Sequence, residues 1–251
     1  MLFRSKDDFF THRREIICRL KTLARLGQNI GVLIRPVDRD SFSISFTVGL
    51  YGAAFGAAAV AAGFSVWQAC LFSLLTFSGA SQFAAVGVIG SGGSAISAIA
   101  TSALLGTRNA LYGLRMAPIL QNRGIKRVLS AHVTIDESTG LAIRQNETAN
   151  MQRAFYLTGG GVFLFWNLFT LLGALGANAI GDPSAWGLDA AVPAAFLGLV
   201  WPRLTERKLF LISILAMIMA LALVPNTPAG IPVIATTVIA ILFGWKAGET
   251  K

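Results

Sequence analysis

A run of small polar residues interrupts one of the most apolar parts of the chain. Within an apolar stretch of about residues 65–89 stand five such residues in a row, Ser78, Gly79, Ala80, Ser81 and Gln82. Lipid-exposed helices do not tolerate such a break, because the freed backbone groups have no partners in hydrocarbon. The pattern therefore predicts a broken or re-entrant helix whose second half begins near Gly79. The alternative is a polar kink that only packs against a neighbouring helix.

The start of that second half-helix has the properties of a carboxylate site. Gln82 follows Gly79 at the spacing of a capping box. Because the first N–H groups of a helix have no intrahelical partner and carry the positive end of its dipole, they favour an anion. Discontinuous helices at membrane depth bind substrate in this way in transporters.

A cation and an amide stand inside the next apolar stretch, about residues 95–118. Arg108 and Asn109 follow eight mostly small or apolar residues. An ionisable residue within a membrane span indicates a functional site. The alternative is that Arg108 lies near an end of the span and reaches the headgroups, as Arg115 is expected to do.

Three acids and an aromatic–amide pair complete the candidate residues. Asp136 and Glu137 close the sequence Thr134-Ile-Asp-Glu, a capping-box match that predicts the start of a new helix; proton coupling is the alternative role. Asp189 adjoins a Gly- and Pro-containing loop, as either an interfacial helix cap or a paired acid inside the bundle. Trp166 and Asn167 lie in a later glycine-rich span. Gating or support is expected of these two residues and of Asp136 and Glu137.

The composition indicates that these residues are positioned by membrane helices. Of 251 residues, 54% are hydrophobic and only 13% are charged, about half the charged fraction of soluble domains. A disordered chain, a coiled coil and a nucleic-acid-binding domain are excluded. Two Cys and two His, far apart, predict neither a disulfide nor a metal or cofactor site. Neither a GxSxG nor an HExxH motif is present, so an enzyme is not expected.

The apolar segments predict an all-α, polytopic membrane helix bundle of about six to seven segments. Each segment approaches the length of about 20 residues that a bilayer requires, except at the break near 78–82. In the first segment, Gly49, Gly52 and Gly56 share one helix face, which predicts close packing against another helix. The segments lie at about residues 41–64, 65–89, 95–118, 154–175, 188–201, 209–224 and 231–245.

The basic residues predict three parts of the chain. Nine of the 21 Lys and Arg precede residue 41, which predicts a basic cytoplasmic segment 1–40 with an amphipathic helix at 13–27. A transmembrane domain follows at 41–245, with a cytoplasmic loop at about 119–152. A cytoplasmic tail covers 246–251.

The distribution of charge also restricts the number of crossings. The basic link 203–208 belongs inside, whereas the loops 176–187 and 225–230, without Lys or Arg, belong outside. With the N-terminus and segment 119–152 both inside, an even number of crossings is required between residues 41 and 118. The stretch 65–89 is therefore expected to be re-entrant or to make two short crossings.

Four motifs in this order resemble the AzlC family, the large subunits of branched-chain amino acid permeases of the azaleucine-resistance type. The resemblance covers about residues 41–245, and the motifs read FSGASQFAAVGVIGSGGSAISAIATSALLGTRNALYGLRMAP, TIDESTGLA, FWNLFTLLGALGAN and GLDAAVPAAFLGL. The family often has Asn and His around the arginine, where this chain has Gly106 and Asn109. This departure leaves open a different small zwitterion as substrate.

The resemblance implies an exporter of valine, leucine, isoleucine and analogues. Proton coupling is expected because the sequence has no Walker A motif or other nucleotide site. The resemblance also implies a multi-pass protein of the bacterial inner or plasma membrane, with cytoplasmic termini and a small AzlD-type partner subunit. The alternatives are a non-transporting scaffold or regulatory subunit and a channel. On the exporter hypothesis the substrate carboxylate meets residues 79–82 and Arg108, while Asp189 accepts the ammonium group or carries the coupled proton. Apolar walls would take the branched side chain.

Overall fold

The computed structural model describes residues 35–180 and 204–248, together with residues 194, 197, 198, 200 and 201. Within these residues all regular elements are helical. The chain divides into two compact units at Asp40–Ser41, and the packing described below belongs to the second, residues 41–251. The expectations for the amphipathic helix at 13–27 and for Asp189 fall outside the described residues.

The helices alternate between long elements and pairs of short ones. Three of them are long and apolar enough to cross a membrane, at Pro36–Ala61, Thr148–Ala179 and Arg207–Asn226. In chain order the helices are α1 (Pro36–Ala61), α2 (Val66–Leu75), α3 (Ala80–Gly90), α4 (Ala95–Leu120), α5 (Ile125–His132), α6 (Asp136–Ile143), α7 (Thr148–Ile180), α8 (Arg207–Leu223) and α9 (Ile231–Gly248). The protein is thus an all-α membrane helix bundle.

Helices α1 and α7 pack in direct backbone contact. A Cβ atom on Gly49 would collide with the side chain of Phe165, and one on Gly56 with the carbonyl oxygen of Thr170. Gly52, between the two, meets the backbone of α7 in the same way. Residues further along α1 contact residues further along α7, so the two helices run parallel. The predicted close packing of the glycine face is confirmed.

Helices α2 and α3 form a re-entrant hairpin, here called hairpin 1 (residues 66–90). They contain 10 and 11 residues, which reach across only about half of a bilayer. Gly90, at the end of α3, lies beside Ala62, where a Cβ on the glycine would stand 3.2 Å from that of the alanine. The chain therefore returns to the end of the bundle at which it entered, here called end A (residues 62–65). The break near residues 78–82 belongs to a re-entrant hairpin and not to two crossings.

Helix α4 crosses from end A to the opposite end of the bundle, here called end B (residues 121–124). The Gln152 amide, near the start of α7, donates to the Ile119 carbonyl oxygen at 2.9 Å. Helix α7 therefore begins where α4 ends. Two long helices, antiparallel to each other, connect the two ends.

A second re-entrant hairpin, hairpin 2 (residues 125–143), enters from end B. Helices α5 and α6 have 8 residues each. At the tip, the rings of His132 and Phe163 are 5.5 Å apart, and Phe163 lies near the middle of α7. The chain then returns through α6 to the start of α7. The sequence placed residues 119–152 at the cytoplasmic side but did not predict this hairpin.

A new helix begins after Thr134 as predicted, but its cap is one residue further along. The Ile135 N–H donates to Ser138 Oγ at 3.1 Å, in place of a bond between Thr134 and Glu137. The Thr134 hydroxyl instead donates back to the Ser130 carbonyl oxygen at 2.7 Å. The capping-box assignment was wrong because this hydroxyl completes the last turn of α5.

Helices α8 and α9 form a pair that packs on α4 near end A. A Cβ on Gly230, just before α9, would stand 3.0 Å from the Cβ of Ser97. In the described part of the chain α8 has no buried residue, and six of its Leu, Ile and Met side chains are exposed, as on a lipid-facing helix: Leu209, Leu211, Leu215, Met217, Ile218 and Leu221. The loop 225–230 therefore lies at end A, beside the turn 91–94.

The direct contact between α1 and α7 predicts that a single methyl group at the interface destabilises the protein. We expect Gly52→Ala to lower the thermal unfolding midpoint of the detergent-solubilised protein, because overpacking costs about 1–3 kcal/mol. Gly176→Ala, on α7 with open space around the position, is the matched control and should leave the midpoint unchanged. Equal midpoints for the two variants would contradict the packing.

Candidate functional site

A cavity of about 220 Å³ lies where the tips of the two hairpins meet, beside the middle of α4 and α7. Both hairpins and both long helices contribute to its wall. Its polar lining comprises Ser78, Gly79, Arg108, Asp136 and Glu137. Its apolar lining includes Val48, Phe77, Phe83, Leu105, Ile135, Val162 and Trp166.

The tip of hairpin 1 presents an uncapped helix N-terminus to the cavity. Gly79 is the N-cap of α3 and has a φ of +61°, a conformation that favours glycine. Its N–H donates to Gln82 Oε1 at 3.0 Å, and Gln82 Nε2 donates to the Ser73 carbonyl oxygen at 3.3 Å. The predicted capping-box spacing is thus confirmed. Because Gly79 has no side chain, the N-cap residue does not bind the first-turn N–H groups of α3, which carry the positive end of the helix dipole.

Arg108 joins the tips of the two hairpins. Its Nη2 donates to the Ser78 carbonyl oxygen of hairpin 1 at 3.3 Å and lies 3.5 Å from Asp136 Oδ1 of hairpin 2. Its Nε is buried and has no hydrogen-bond partner among the described atoms. Because the guanidinium is held at the middle of α4, it does not extend to the headgroups as a snorkelling side chain would.

Three polar side chains support the tip of hairpin 1 from behind the cavity wall. Asn109 Nδ2 donates to Ser78 Oγ at 3.3 Å, and Ser78 Oγ donates to Ser81 Oγ at 2.9 Å. Gln82 is completely buried. These contacts fix the direction of the Ser78 carbonyl group, which accepts the hydrogen bond from Arg108.

Hairpin 2 contributes two neighbouring carboxylates to the same cavity. Asp136 is paired with Arg108, and Glu137 stands next to it at the start of α6, a short helix that does not span the membrane. Burial, together with the charge of Asp136, raises the pKa of the Glu137 carboxyl from its usual 4.5 to about 7, against a smaller lowering by Arg108. Glu137 can therefore exchange a proton near neutral pH.

Trp166 forms the opposite wall and carries a free donor. Its ring stacks on Phe55 with the centroids 6.1 Å apart and meets the Phe83 ring edge-on at 6.2 Å. The side chain is 4% exposed, yet its Nε1 has no partner among the described atoms. A buried donor without a partner is costly. Its neighbour Asn167 instead donates to the Phe163 carbonyl oxygen at 2.7 Å.

The structure brings most of the predicted site residues together. Those that line the cavity are Ser78, Gly79, Ala80, Arg108, Asp136, Glu137 and Trp166. Those that lie outside the lining are Ser81, Gln82, Asn109 and Asn167, and Asp189 falls among the residues that are not described. An apolar wall was expected, but its residues were not identified, because Phe83 and Val162 resemble every other apolar residue of a membrane span. Within the described chain no three Asp, Glu, His or Cys side chains could hold a metal.

The raised pKa of Glu137 predicts a pH-dependent stability. A carboxyl group with a raised pKa in the folded protein contributes stability below about pH 4.5, and this contribution is lost as the pH rises through about 7. We expect the unfolding midpoint of the wild type to fall between pH 5 and pH 8 more steeply than that of Glu137→Gln. Glu147→Gln, which removes an exposed carboxylate, should keep the wild-type slope. Parallel slopes for all three proteins would refute the assignment.

The comparison with known proteins agrees with the geometry. The family described as AzlC protein matches residues 43–180, which is more than half of the chain. No curated protein and no solved structure matches the chain. The matched region contains both hairpins, Arg108 and the Asp136–Glu137 pair. The chain therefore belongs to the AzlC family, a family of membrane transport proteins.

Proposed function

We propose that this protein is a secondary transporter that exports branched-chain amino acids. The observation that carries the proposal is the central cavity between the hairpin tips. It brings a helix N-terminus and a guanidinium next to two carboxylates, with Arg108 3.5 Å from Asp136, and the rest of its lining is largely apolar. Such a site complements an α-amino acid, which has both charges on one carbon atom and an apolar side chain.

The carboxylate of the substrate would bind at hairpin 1. The first-turn N–H groups of α3 and the guanidinium of Arg108 are donors that favour an anion. All belong to residues that line the same cavity or its edge.

The ammonium group would bind at hairpin 2, next to Asp136 and Glu137. The sequence alone favoured Asp189 for this role, and that residue stays a prediction. With its pKa near 7, Glu137 is the better candidate for the coupled proton, because protonation there changes the charge that the ammonium group meets. Proton coupling also accords with the lack of a Walker A motif in the sequence.

The apolar part of the cavity would select the side chain. Phe83, Val162 and Val48 offer a wall without hydrogen-bonding side-chain groups. The volume of about 220 Å³ equals about seven water molecules and suits a small amino acid. Because one methylene group changes binding by only about 1–3 kcal/mol, valine, leucine and isoleucine should all be accepted.

The basic residues support an orientation in the membrane. Arg123, Lys126, Arg127 and Arg144 surround end B, so we propose that end B is cytoplasmic. Both termini would then be cytoplasmic, and the protein would reside in the bacterial inner membrane. A small AzlD-type membrane subunit is the proposed partner, on the basis of the family.

A substitution at Arg108 tests the proposal in cells. Cells that lack the gene are loaded with leucine- or valine-containing dipeptides, and efflux of the free amino acid is followed with the protein and its small partner subunit expressed. We expect the wild type to accelerate efflux, a protonophore to change the rate, and Arg108→Gln to lose at least about tenfold, since it removes the charged partner of a carboxylate. Arg115→Gln, on the same helix with an exposed side chain, should transport at the wild-type rate.

The outcome separates the alternatives. Full transport by Arg108→Gln at normal membrane levels would remove Arg108 from the site. Wild-type protein that moves none of these amino acids would favour a different small zwitterion or a supporting subunit. Flux that neither saturates nor responds to the proton gradient would indicate a channel.

A further inference from the structure

Three cavities follow one another along α4. The end-A cavity, about 600 Å³, lies between α3 and the α8–α9 pair, and the end-B cavity, about 420 Å³, lies between α4 and α5. Leu105 lines both the end-A cavity and the central one. On the other side Thr134 lines the end-B cavity and Ile135, its neighbour, lines the central one. The tip of hairpin 2 is therefore the partition between the central cavity and end B.

The two hairpins occupy equivalent places in an inverted arrangement. A long helix followed by a hairpin occurs twice, as α1 with hairpin 1 and as α4 with hairpin 2. Each hairpin enters from the end at which its long helix finishes, so the two enter from opposite ends. In both, the N-cap N–H of the second half-helix donates to the side chain three residues later, Gln82 in one case and Ser138 in the other.

The two hairpins differ in how firmly they are held. The first halves of both hairpins are largely exposed, since α2 buries two of its 10 residues and α5 buries only Ser130 of its eight. The second halves differ: eight of the 11 residues of α3 are buried, against four of the eight residues of α6, so hairpin 1 is the more firmly packed. At the tip of hairpin 2, Asp136 contacts α4 through its ion pair with Arg108.

We propose that Asp136 is a positioning residue that holds hairpin 2 closed through Arg108, and that this hairpin is the gate between the central cavity and end B. Of the two hairpins in the inverted arrangement, hairpin 1 stays fixed and hairpin 2 moves. Loss of the ion pair frees the partition at Thr134–Ile135, so that the central cavity becomes continuous with the end-B cavity.

The ion pair also links the gate to the substrate, and this step rests on the proposed function. With 3.5 Å between Arg108 and Asp136, no zwitterion fits between them. An amino acid whose carboxylate faces Arg108 and whose ammonium group faces Asp136 must separate the pair. Binding therefore opens the same contact that closes the gate.

Two reporter cysteines test the gate in the purified full-length protein after both native cysteines are replaced (Cys18→Ser, Cys70→Ala). Thr134→Cys reports on the partition, and Val88→Cys reports on the end-A cavity; both native side chains are about 5% exposed or less. The rate of reaction with a water-soluble maleimide is measured for each. We expect Asp136→Asn to accelerate the reaction at position 134 roughly five- to thirtyfold. This is the effect of a shift of about one to two kcal/mol in the free-energy difference between the closed and open states of hairpin 2.

The matched variants distinguish an ion pair that holds hairpin 2 closed, here called the latch, from a general loss of structure. Asp136→Glu, which keeps the charge, should restore slow reaction at position 134, and position 88 should react at the same rate throughout. An unchanged rate at position 134 in Asp136→Asn overturns the proposal. Equal acceleration at both positions also overturns it, because it shows a structural role.

The effect of added leucine on the reaction at position 134 tests the latch and the proposed transport function separately. Added leucine should accelerate the reaction at position 134 with Asp136 intact and add nothing in Asp136→Asn. If Asp136→Asn opens position 134 while leucine has no effect, the latch stands and the substrate assignment fails. If leucine is exported but Asp136→Asn leaves position 134 closed, the function stands and the latch fails.

Discussion

The burial of one cation in the middle of an apolar bundle governs the arrangement of the whole site. A charged side chain at the centre of a membrane helix costs about 2.5–3.5 kcal/mol unless polar groups surround it. Arg108 donates a hydrogen bond to a carbonyl group at the tip of hairpin 1 and forms an ion pair with a carboxylate at the tip of hairpin 2. Both hairpins must therefore end at the depth of this residue, which places two helix starts, two acids and one guanidinium around a single cavity.

The close contact of α1 and α7 provides the rigid side of this arrangement. Glycine at positions 49, 52 and 56 lets the two backbones touch, and small hydroxyl side chains continue the contact, with Ser45 Oγ donating to the Thr158 carbonyl oxygen at 3.2 Å. Packing of this kind replaces the hydrophobic effect, which does not join helices in lipid. Trp166 is anchored on the same interface, so the cavity has one fixed wall and one wall made of hairpins.

The sequence predicted the elements that carry a chemical signature. The polar break before Gln82, the charge of Arg108 and the glycine face of α1 each have a local physical reason, and all three are in the structure where they were expected. Hairpin 2 was missed because its polar, basic residues resemble a surface loop and because its two halves are only 8 residues long. The apolar wall and the inverted repeat depend on contacts between distant segments.

Binding of leucine to the purified protein, followed by its thermal unfolding midpoint, is the most direct test of the central cavity as a zwitterion site. The same measurement is made with leucinamide, which lacks the carboxylate, and with 4-methylpentanoate, which lacks the ammonium group. We predict that leucine raises the midpoint and that neither relative does so at equal concentration, because each leaves one charged side of the cavity unmatched. Equal stabilisation by leucine and by either relative would contradict a site built around both charges.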